Sequence, residues 1–200
     1  MSAEADPPTT VRDPEVARDI HVADSLSGLE VPELRAARRI ADIGSGAGFP
    51  GLALAAVLPN ARVDLIESVR RKCEVIERLA AAAGIDNARA VHSRVEEWGE
   101  RGYDAVTARA VASLPVLLEY AAPLLAPDGV LVAWKGARDA AEDEAGAAAA
   151  AQLGMGEASV LPVRPFEGAL NRHLHVFSKV GATPDRFPRR PGMARKRPLP

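Results

Sequence analysis

Four glycines within eight residues mark the part of the chain best suited to bind a cofactor. They lie in the sequence ADIGSGAGFPG, at Gly44, Gly46, Gly48 and Gly51. A strand-like segment, residues 39–43, precedes them, and an apolar helical segment, residues 52–58, follows. Glycine adopts positive φ angles readily and has no Cβ to hold the backbone away from a ligand. The pattern therefore predicts a strand-to-helix turn that binds a nucleotide-like cofactor.

Two carboxylates accompany this turn. Asp42 stands two residues before the first glycine, and Glu67 follows the next strand-like segment, residues 62–66. A carboxylate at the end of the second strand is placed to accept hydrogen bonds from ribose hydroxyl groups. Asp42 would repel the diphosphate of a dinucleotide, but it attracts the ammonium and sulfonium groups of S-adenosylmethionine.

The spacing of the glycines also departs from the dinucleotide pattern GxGxxG. Phe49 occupies the position of the last glycine of that pattern. Both this departure and the charge of Asp42 favour S-adenosylmethionine as the cofactor. Two weaker interpretations remain, a nicotinamide dinucleotide and a glycine turn that binds no ligand.

The sequence SRVEEW, residues 93–98, follows the third strand-like segment and is a candidate purine site. Val95 could pack on the ring and Glu96 could bind its edge, since loops after parallel strands meet at one edge of the sheet. The alternative is that the two glutamates only open a short helix.

Arg109, in the sequence TARA, ends the fourth strand-like segment and would lie opposite the methyl donor. An arginine accepts no proton at neutral pH, so the methyl acceptor should already possess a free lone pair, as guanine N7 does. Such a reaction needs no general base and depends on positioning, which is the role expected of Arg109. The alternative is a structural arginine that pairs with a local carboxylate.

Further basic residues end or follow the last strands. Lys135 lies in WKG, Arg138 follows it, and Arg172 lies in NRH. With Arg109 they would form a basic rim suited to an RNA backbone, although each alone could be a solvated surface charge. His21 and Asp24 stand three residues apart, on one helix face, and are expected to cap a helix or line the cofactor pocket.

The pattern of segments predicts an α/β fold. With 200 residues and 48% hydrophobic content, the chain suits one globular domain. Strand-like segments alternate with helical ones at 52–58, 69–83, 114–125 and 138–153, as in a doubly wound, Rossmann-like parallel sheet. Two final strands with no helix between them predict a seven-stranded sheet whose last strand is antiparallel. The strand-like segments are 39–43, 62–66, 89–92, 103–108, 129–134, 157–163 and 173–180.

The two ends of the chain differ from the middle. Residues 1–38 are predicted to form a helical cap over the cofactor site, and residues 39–180 the main domain. Residues 181–200 contain six basic residues against one aspartate and few apolar ones. We predict a flexible basic tail there, in which Arg189, Arg190 and Arg195 contact phosphates, or else a tail that only increases solubility.

Cys73 is the only cysteine, so no disulfide can form within the chain, and the four histidines show no metal-ligand spacing. No metal is therefore expected. No run of about 18 apolar residues is present, and no apolar export signal follows the start. We expect a monomer that acts in the cytoplasm without a membrane partner.

The motifs taken together resemble a known family. They are VRDPEVARDIHVADSL, ADIGSGAGFPGLALA, LIES, SRVEEW, TARAVASL, AWKG and NRHLHVF, in that order. Over roughly residues 9–180 they resemble the GidB family, the bacterial 16S ribosomal RNA guanine-N7 methyltransferases. Family members usually have a longer helical region before HVADS, so the cap at 1–38 is short by that standard. The basic tail is not a constant part of the family pattern.

The resemblance implies a class I methyltransferase that transfers a methyl group from S-adenosylmethionine to N7 of one guanine in small-subunit ribosomal RNA. It carries cofactor contacts onto Gly44, Phe49, residues 67–69 (Glu67, Ser68, Val69), Val95 with Glu96, and Arg109. The alternatives are a methyltransferase for another RNA or a small molecule, and a non-catalytic RNA-binding protein with this fold.

Overall fold

The computed structural model describes Val16 and residues 18–200, and it contains one seven-stranded sheet. The strand order is β3-β2-β1-β4-β5-β7-β6. The strands are β1 (Arg39–Ile43), β2 (Arg62–Glu67), β3 (Ala88–His92), β4 (Tyr103–Arg109), β5 (Leu125–Lys135), β6 (Ser159–Val163) and β7 (Arg172–Ser178). The helices are α1 (Asp24–Leu26), α2 (Pro32–Ala36), α3 (Gly51–Val57), α4 (Arg70–Ala83), α5 (Leu114–Ala121), α6 (Ala140–Leu153) and α7 (Met193–Lys196).

Strands β1 to β5 are parallel, whereas β7 is antiparallel to both β5 and β6. The predicted α/β class and seven-stranded sheet are therefore confirmed. The chain order reverses between β1 and β4, where parallel sheets bind ligands at the carboxyl ends of their strands. In the register, Asp42 lies beside Leu65 of β2 and Thr107 of β4, which brings the predicted site residues to one edge.

Successive residues of each central strand enter two separate cores. In β1, Ile43 joins a core beneath α5 and α6, and Ile40 joins the core that contains residues of α3 and α4. Both faces of the sheet are therefore covered, which explains why these strands are apolar on both sides.

Two element boundaries differ from the predictions by four residues, and the others by two residues or fewer. Helix α5 ends at Ala121 rather than at residue 125, because Pro123 has no N–H with which to continue the helix. Strand β5 begins at Leu125, four residues earlier than predicted, since Leu125 pairs with Tyr103 before a register shift in the ladder.

The chain enters the sheet through short helical turns at Arg18–Ala23, α1 and Ser27–Glu30. The buried indole N–H of Trp134 in β5 donates to the Asp24 carbonyl oxygen at 2.8 Å, which ties these turns to the sheet. Residues 1–15 and 17 of the predicted cap lie outside the described residues. Among the residues that are described, no helix is long and apolar enough to cross a membrane.

The C-terminal segment corrects the prediction of a flexible tail. Phe187, Ala194 and Leu199 are buried in the same core as α5. The Arg189 guanidinium donates to both carboxylate oxygens of Glu119, with N–O distances from 2.5 to 3.1 Å. The composition suggested a solvated tail because its few apolar residues are spaced among charged ones. In the fold, those apolar residues pack into the core, and Arg189 neutralises the buried Glu119 beside them. We call residues 184–199 the C-terminal strap.

The ion pair predicts a large effect of removing its cation. Glu119 is 1% exposed and Arg189 25% exposed. We expect Arg189→Ala to lower the free energy of unfolding by about 2 kcal/mol, since the buried Glu119 carboxylate loses its cation and keeps only the backbone N–H of residue 189. Urea denaturation measures this. Arg190→Ala, the removal of an exposed neighbouring cation, should change the same quantity by less than about 0.5 kcal/mol. Equal losses of unfolding free energy in the two variants would contradict a stabilising role of the Arg189–Glu119 ion pair.

Candidate active site

The predicted glycine turn connects β1 to α3 and has the backbone that the sequence requires. Gly44, Gly46 and Gly48 all have positive φ angles. A Cβ added at Gly44 would come within 2.8 Å of Val111, so the close approach of these two segments excludes a side chain there. A Cβ at Gly46 would meet only a backbone oxygen at 3.9 Å, because this residue faces open space.

Asp42 does not face that open space, which corrects the prediction that it contacts the cofactor. Its side chain is fully buried, and its carboxylate accepts hydrogen bonds from the Gly51 N–H at 3.1 Å and the Thr107 hydroxyl at 2.9 Å. The side chain therefore joins the end of β1 to the start of α3 and to β4. Burial raises the pKa of Asp42 to about 6, and the two hydrogen bonds oppose that rise.

Glu67 holds the other side of the turn. Its carboxylate accepts hydrogen bonds from the Gly46 N–H at 3.0 Å and from the Val69 N–H at 2.9 Å. The Ser68 hydroxyl lies 3.4 Å from the same carboxylate. Glu67 is therefore fixed at the carboxyl end of β2, where the sequence predicted a ribose-binding acid. Val69 is also predicted to contact the cofactor, but it is not among the residues that line the adjacent cleft.

A cleft of about 220 Å³ opens beside this turn. Four of the predicted cofactor residues line it, namely Gly44, Ser68, Val95 and Glu96. The sequence analysis did not assign Val111 and Tyr120 to this site, although both also line the cleft. Burial and the negative charge of Glu96 raise the pKa of Tyr120. Only the fold could reveal the role of these two residues, since Tyr120 belongs to no motif and Val111, although it lies in TARAVASL, has no side chain that signals a cofactor contact.

The residues present fit S-adenosylmethionine. Gly46 faces open space, and the Glu67 carboxylate beside it would accept hydrogen bonds from ribose hydroxyls with the lone pairs that Gly46 and Val69 leave free. The side chains of Val95 and Val111 offer apolar surface for a purine, with Glu96 at a polar edge. The charges fit as well, because S-adenosylmethionine, unlike a dinucleotide, has no phosphate that the acidic side chains of Asp42 and Glu67 would repel.

A second cavity of about 370 Å³ lies beyond the end of β4. The predicted basic residues Arg109, Lys135 and Arg172 line it together with Asp24 and Trp134. The loop after β4 contributes to both spaces, since Val111 lines the first cleft and its neighbours Ala110 and Ala112 line the second. The two spaces therefore meet at one loop.

Arg109 pairs with the N-terminal turns. Its guanidinium donates to the Ile20 carbonyl oxygen at 2.8 Å and to the Asp24 carboxylate at 3.0 Å. It also lies 5.9 Å from the centre of the Phe49 ring, against which the His21 ring stacks at 5.2 Å. Both predicted alternatives for Arg109 are thus present in part: it lines the cavity and it pairs with a carboxylate. Burial and the charge of Arg109 lower the pKa of His21.

The other predicted RNA-binding cations differ in their surroundings. Lys135 pairs with Glu142 at 2.6 Å, and exposed Arg138 pairs with Asp143 at 2.6 Å. Arg172 is 39% exposed, with its Nε 3.8 Å from an Asp24 oxygen. Arg190 is exposed on the C-terminal strap.

Two of these predictions need correction. Arg189 is held by buried Glu119, so its guanidinium is not available to a phosphate. Arg195 is exposed and also lines the first cleft, beside the predicted donor residues. In both cases the sequence showed the positive charge but not the carboxylate or the cleft that the fold places beside it.

The sheet order, the glycine turn after β1 and the acid at the end of β2 define a class I S-adenosylmethionine-dependent methyltransferase. Solved structures share this fold. A putative O-methyltransferase from Nostoc punctiforme aligns with a TM-score of 0.67 and 16% identity, over 82% of this chain and 58% of that one. An S-adenosylmethionine-dependent O-methyltransferase from Thermotoga maritima aligns with a TM-score of 0.66 and 14% identity, over 88% and 69% of the two chains.

The chain belongs to the GidB family, whose model, described as rRNA small subunit methyltransferase G, matches residues 9–174. A relative named ribosomal RNA small subunit methyltransferase G, from Rubrobacter xylanophilus, is 44% identical and covers 94% of this chain and 75% of its own. A relative of the same name from Deinococcus deserti is 41% identical over 91% and 78%. The family resemblance seen in the motifs is therefore confirmed, and with it the cofactor, S-adenosylmethionine.

The position of Glu67 predicts a test of the donor site. We expect Glu67→Gln to raise the Kd for S-adenosylhomocysteine by about 10- to 100-fold, since a neutral amide is a weaker acceptor for ribose hydroxyls than a carboxylate. The amide NH2 would also face one of the two backbone N–H groups that now donate to Glu67. Isothermal titration calorimetry measures the Kd. Glu77→Gln, the same change at an exposed position of α4, should leave the Kd unaltered. An unaltered Kd for both variants would contradict the role of Glu67.

The raised pKa of Asp42 predicts a pH dependence. The folded protein retains a proton up to about pH 6, and the unfolded chain releases it near 3.8, so ionisation of Asp42 reduces stability as the pH rises through this window. At neutral pH this ionisation lowers the free energy of unfolding by on the order of 3 kcal/mol. Urea denaturation from pH 4 to 7 should show this loss in the wild type and not in Asp42→Asn. Parallel stability curves would refute the effect.

Proposed function

We propose that this chain transfers the methyl group of S-adenosylmethionine to N7 of one guanine in 16S ribosomal RNA. The observation that carries the proposal is the loop after β4, which lines both the donor cleft and the cation-lined cavity. A donor bound over the glycine turn and a base held in the cavity would meet at this loop. Family membership supplies the substrate class, through relatives named for the small ribosomal subunit.

The side chains at the end of β4 support a ring nitrogen as the acceptor. The residues from Arg109 to Ala112 include no amide or carboxylate that could take a proton from an amino group. Guanine N7 carries a lone pair and loses no proton when it is methylated. Placement of the base in line with the donor is then the main requirement.

The chemical step is a direct displacement. S-adenosylmethionine, when bound, supplies a methyl group activated by a sulfonium. The N7 lone pair forms the new bond to the methyl carbon as the carbon–sulfur bond breaks, and the bonding electrons return to sulfur. The products are S-adenosylhomocysteine and a positively charged N7-methylguanine. In this scheme Glu67 and the backbone at Gly46 orient the donor, and Asp42 fixes the turn that carries them.

Arg109, Lys135 and Arg172 would hold the RNA beside the donor. Arg172 is the most exposed of the three, and its weak contact with Asp24 leaves its donors able to bind a phosphate or a guanine edge. Arg138 and Arg190 would extend this contact along the backbone. Asp24 offsets part of the positive charge, which limits repulsion of the charged product ring.

The organisation that we propose follows from these roles. Residues 39–180 would form the methyltransferase domain, and the described part of the predicted cap, up to residue 38, brings Asp24 to the cavity. The partner is 16S ribosomal RNA or the small subunit that contains it. The protein then acts in the cytoplasm, as a monomer.

The direct test is methyl transfer from labelled S-adenosylmethionine to small subunits from a bacterial strain that lacks its own enzyme for this modification. The product is mapped by chemical cleavage at N7-methylguanine. One modified guanine in 16S ribosomal RNA supports the proposal. Donor binding with transfer to another RNA, or to none, overturns it in favour of a different substrate or of a non-catalytic RNA-binding role.

The separation of the two spaces predicts distinct effects of their residues. We expect Arg172→Ala to lower kcat/KM for small subunits by about 10- to 100-fold, the loss of one charge-assisted contact, while the Kd for S-adenosylhomocysteine stays unchanged. Arg164→Ala removes an exposed cation from the loop between β6 and β7 and is the matched control. A raised Kd for S-adenosylhomocysteine in Arg172→Ala would contradict the assignment of Arg172 to the RNA cavity and not the donor cleft.

A further inference from the structure

The middle of the C-terminal strap lies at the donor cleft, whereas its end, at Leu199, lies near Lys135 of the proposed RNA cavity. Gly192 and Arg195 line the same 220 Å³ cleft as Ser68 and Val95. The matched part of the family model ends at residue 174, so these residues lie outside it. The strap therefore adds atoms to the cleft that the family motifs do not account for.

Two hydrogen bonds fix the strap at this place. The Gly192 N–H donates to the Glu96 carboxylate at 2.8 Å. The Arg195 guanidinium donates to the Val111 carbonyl oxygen at 3.1 Å. Both partners belong to the cleft wall, Glu96 after β3 and Val111 after β4. The strap thus connects the two loops that face each other across the cleft.

The strap is held firmly enough to act as a wall. The ion pair of Arg189 with buried Glu119 precedes Gly192, and the buried side chains of Ala194 and Leu199 flank Arg195. Arg195 itself is exposed on its solvent side. A side chain that is already held by its backbone and by a hydrogen bond to Val111 can contact a ligand without a large cost in chain entropy.

The chemistry of these groups matches an adenine ring. A purine needs surface for its faces and both donors and acceptors at its edge. Val95 supplies apolar surface, and the planar Arg195 guanidinium can stack on a ring or donate to a ring nitrogen with the N–H groups not bonded to Val111. The Gly192 N–H donates to one Glu96 oxygen, which positions this carboxylate at the edge of the cleft beside Tyr120.

We infer that the C-terminal strap forms one wall of the adenosine subsite, in which Arg195 contacts the purine and Gly192 positions the Glu96 carboxylate. Arg195, the basic residue of the strap that lines the cleft, then serves donor binding and not RNA binding. This inference rests on the proposed use of S-adenosylmethionine but not on the identity of the methyl acceptor.

Donor binding without RNA tests the inference. Isothermal titration calorimetry with S-adenosylhomocysteine, and competition by adenosine alone, compares the wild type with Arg195→Ala. We expect both affinities to fall about tenfold, which corresponds to about 1.4 kcal/mol. Lys196→Ala removes a neighbouring exposed cation of the strap that does not line the cleft, and its Kd values should stay within about twofold of the wild type. Equal Tm values confirm that all three proteins are folded.

The outcomes separate this inference from the proposed function. Unchanged affinities for both probes in Arg195→Ala overturn it, as do equal losses in Arg195→Ala and Lys196→Ala. Weaker binding of a 16S ribosomal RNA fragment by Arg195→Ala, with unchanged donor affinity, overturns it in favour of an RNA contact. If the wild type binds the donor but methylates no ribosomal RNA, the proposed function fails while the role of Arg195 at the donor is still decided by the two Kd values.

Discussion

The buried carboxylate of Asp42 is the interaction on which the site depends. One side chain accepts hydrogen bonds from the first residue of α3 and from Thr107 of β4, so the glycine turn has a fixed shape before any ligand binds. The raised pKa of this group shows that burial works against its charge. The buried charge of Asp42 therefore lowers the stability of the fold but fixes the shape of the glycine turn. Such an arrangement is common where a binding site must be preorganised.

Ion pairs determine the electrostatics of the surrounding surface. The sequence shows a series of basic residues near the strand ends, but several of them meet carboxylates in the fold. Asp24 neutralises Arg109, Glu142 neutralises Lys135, and Glu119 binds Arg189. The field at the proposed RNA cavity is consequently weaker than a count of lysines and arginines suggests. Partial neutralisation suits a reaction whose product base is itself positively charged.

The fold could be predicted closely because its signals are local. The alternation of strand and helix patterns, the glycine turn and the Asp139 cap of α6 each depend on a few neighbouring residues. Several parts of the site could be predicted less well. Tyr120 and Gly192 line the donor cleft without belonging to any motif, and Asp24 reaches the cavity from a segment far from β4 in the chain. Tertiary packing brings such residues to the site, and it leaves no periodic pattern or fixed spacing in the sequence.

The amino-acid sequence by itself determined the class of fold, the cofactor turn, the acid at Glu67 and the family of the chain. These depend on backbone requirements that few residue types meet, above all positive φ at glycine. Tertiary structure alone decided that Asp42 faces inward, that Arg109 pairs with Asp24, and that the C-terminal strap lies against the donor cleft. The physical reason is that burial and ion pairing depend on which distant segments meet, whereas turn geometry depends on the residues in the turn.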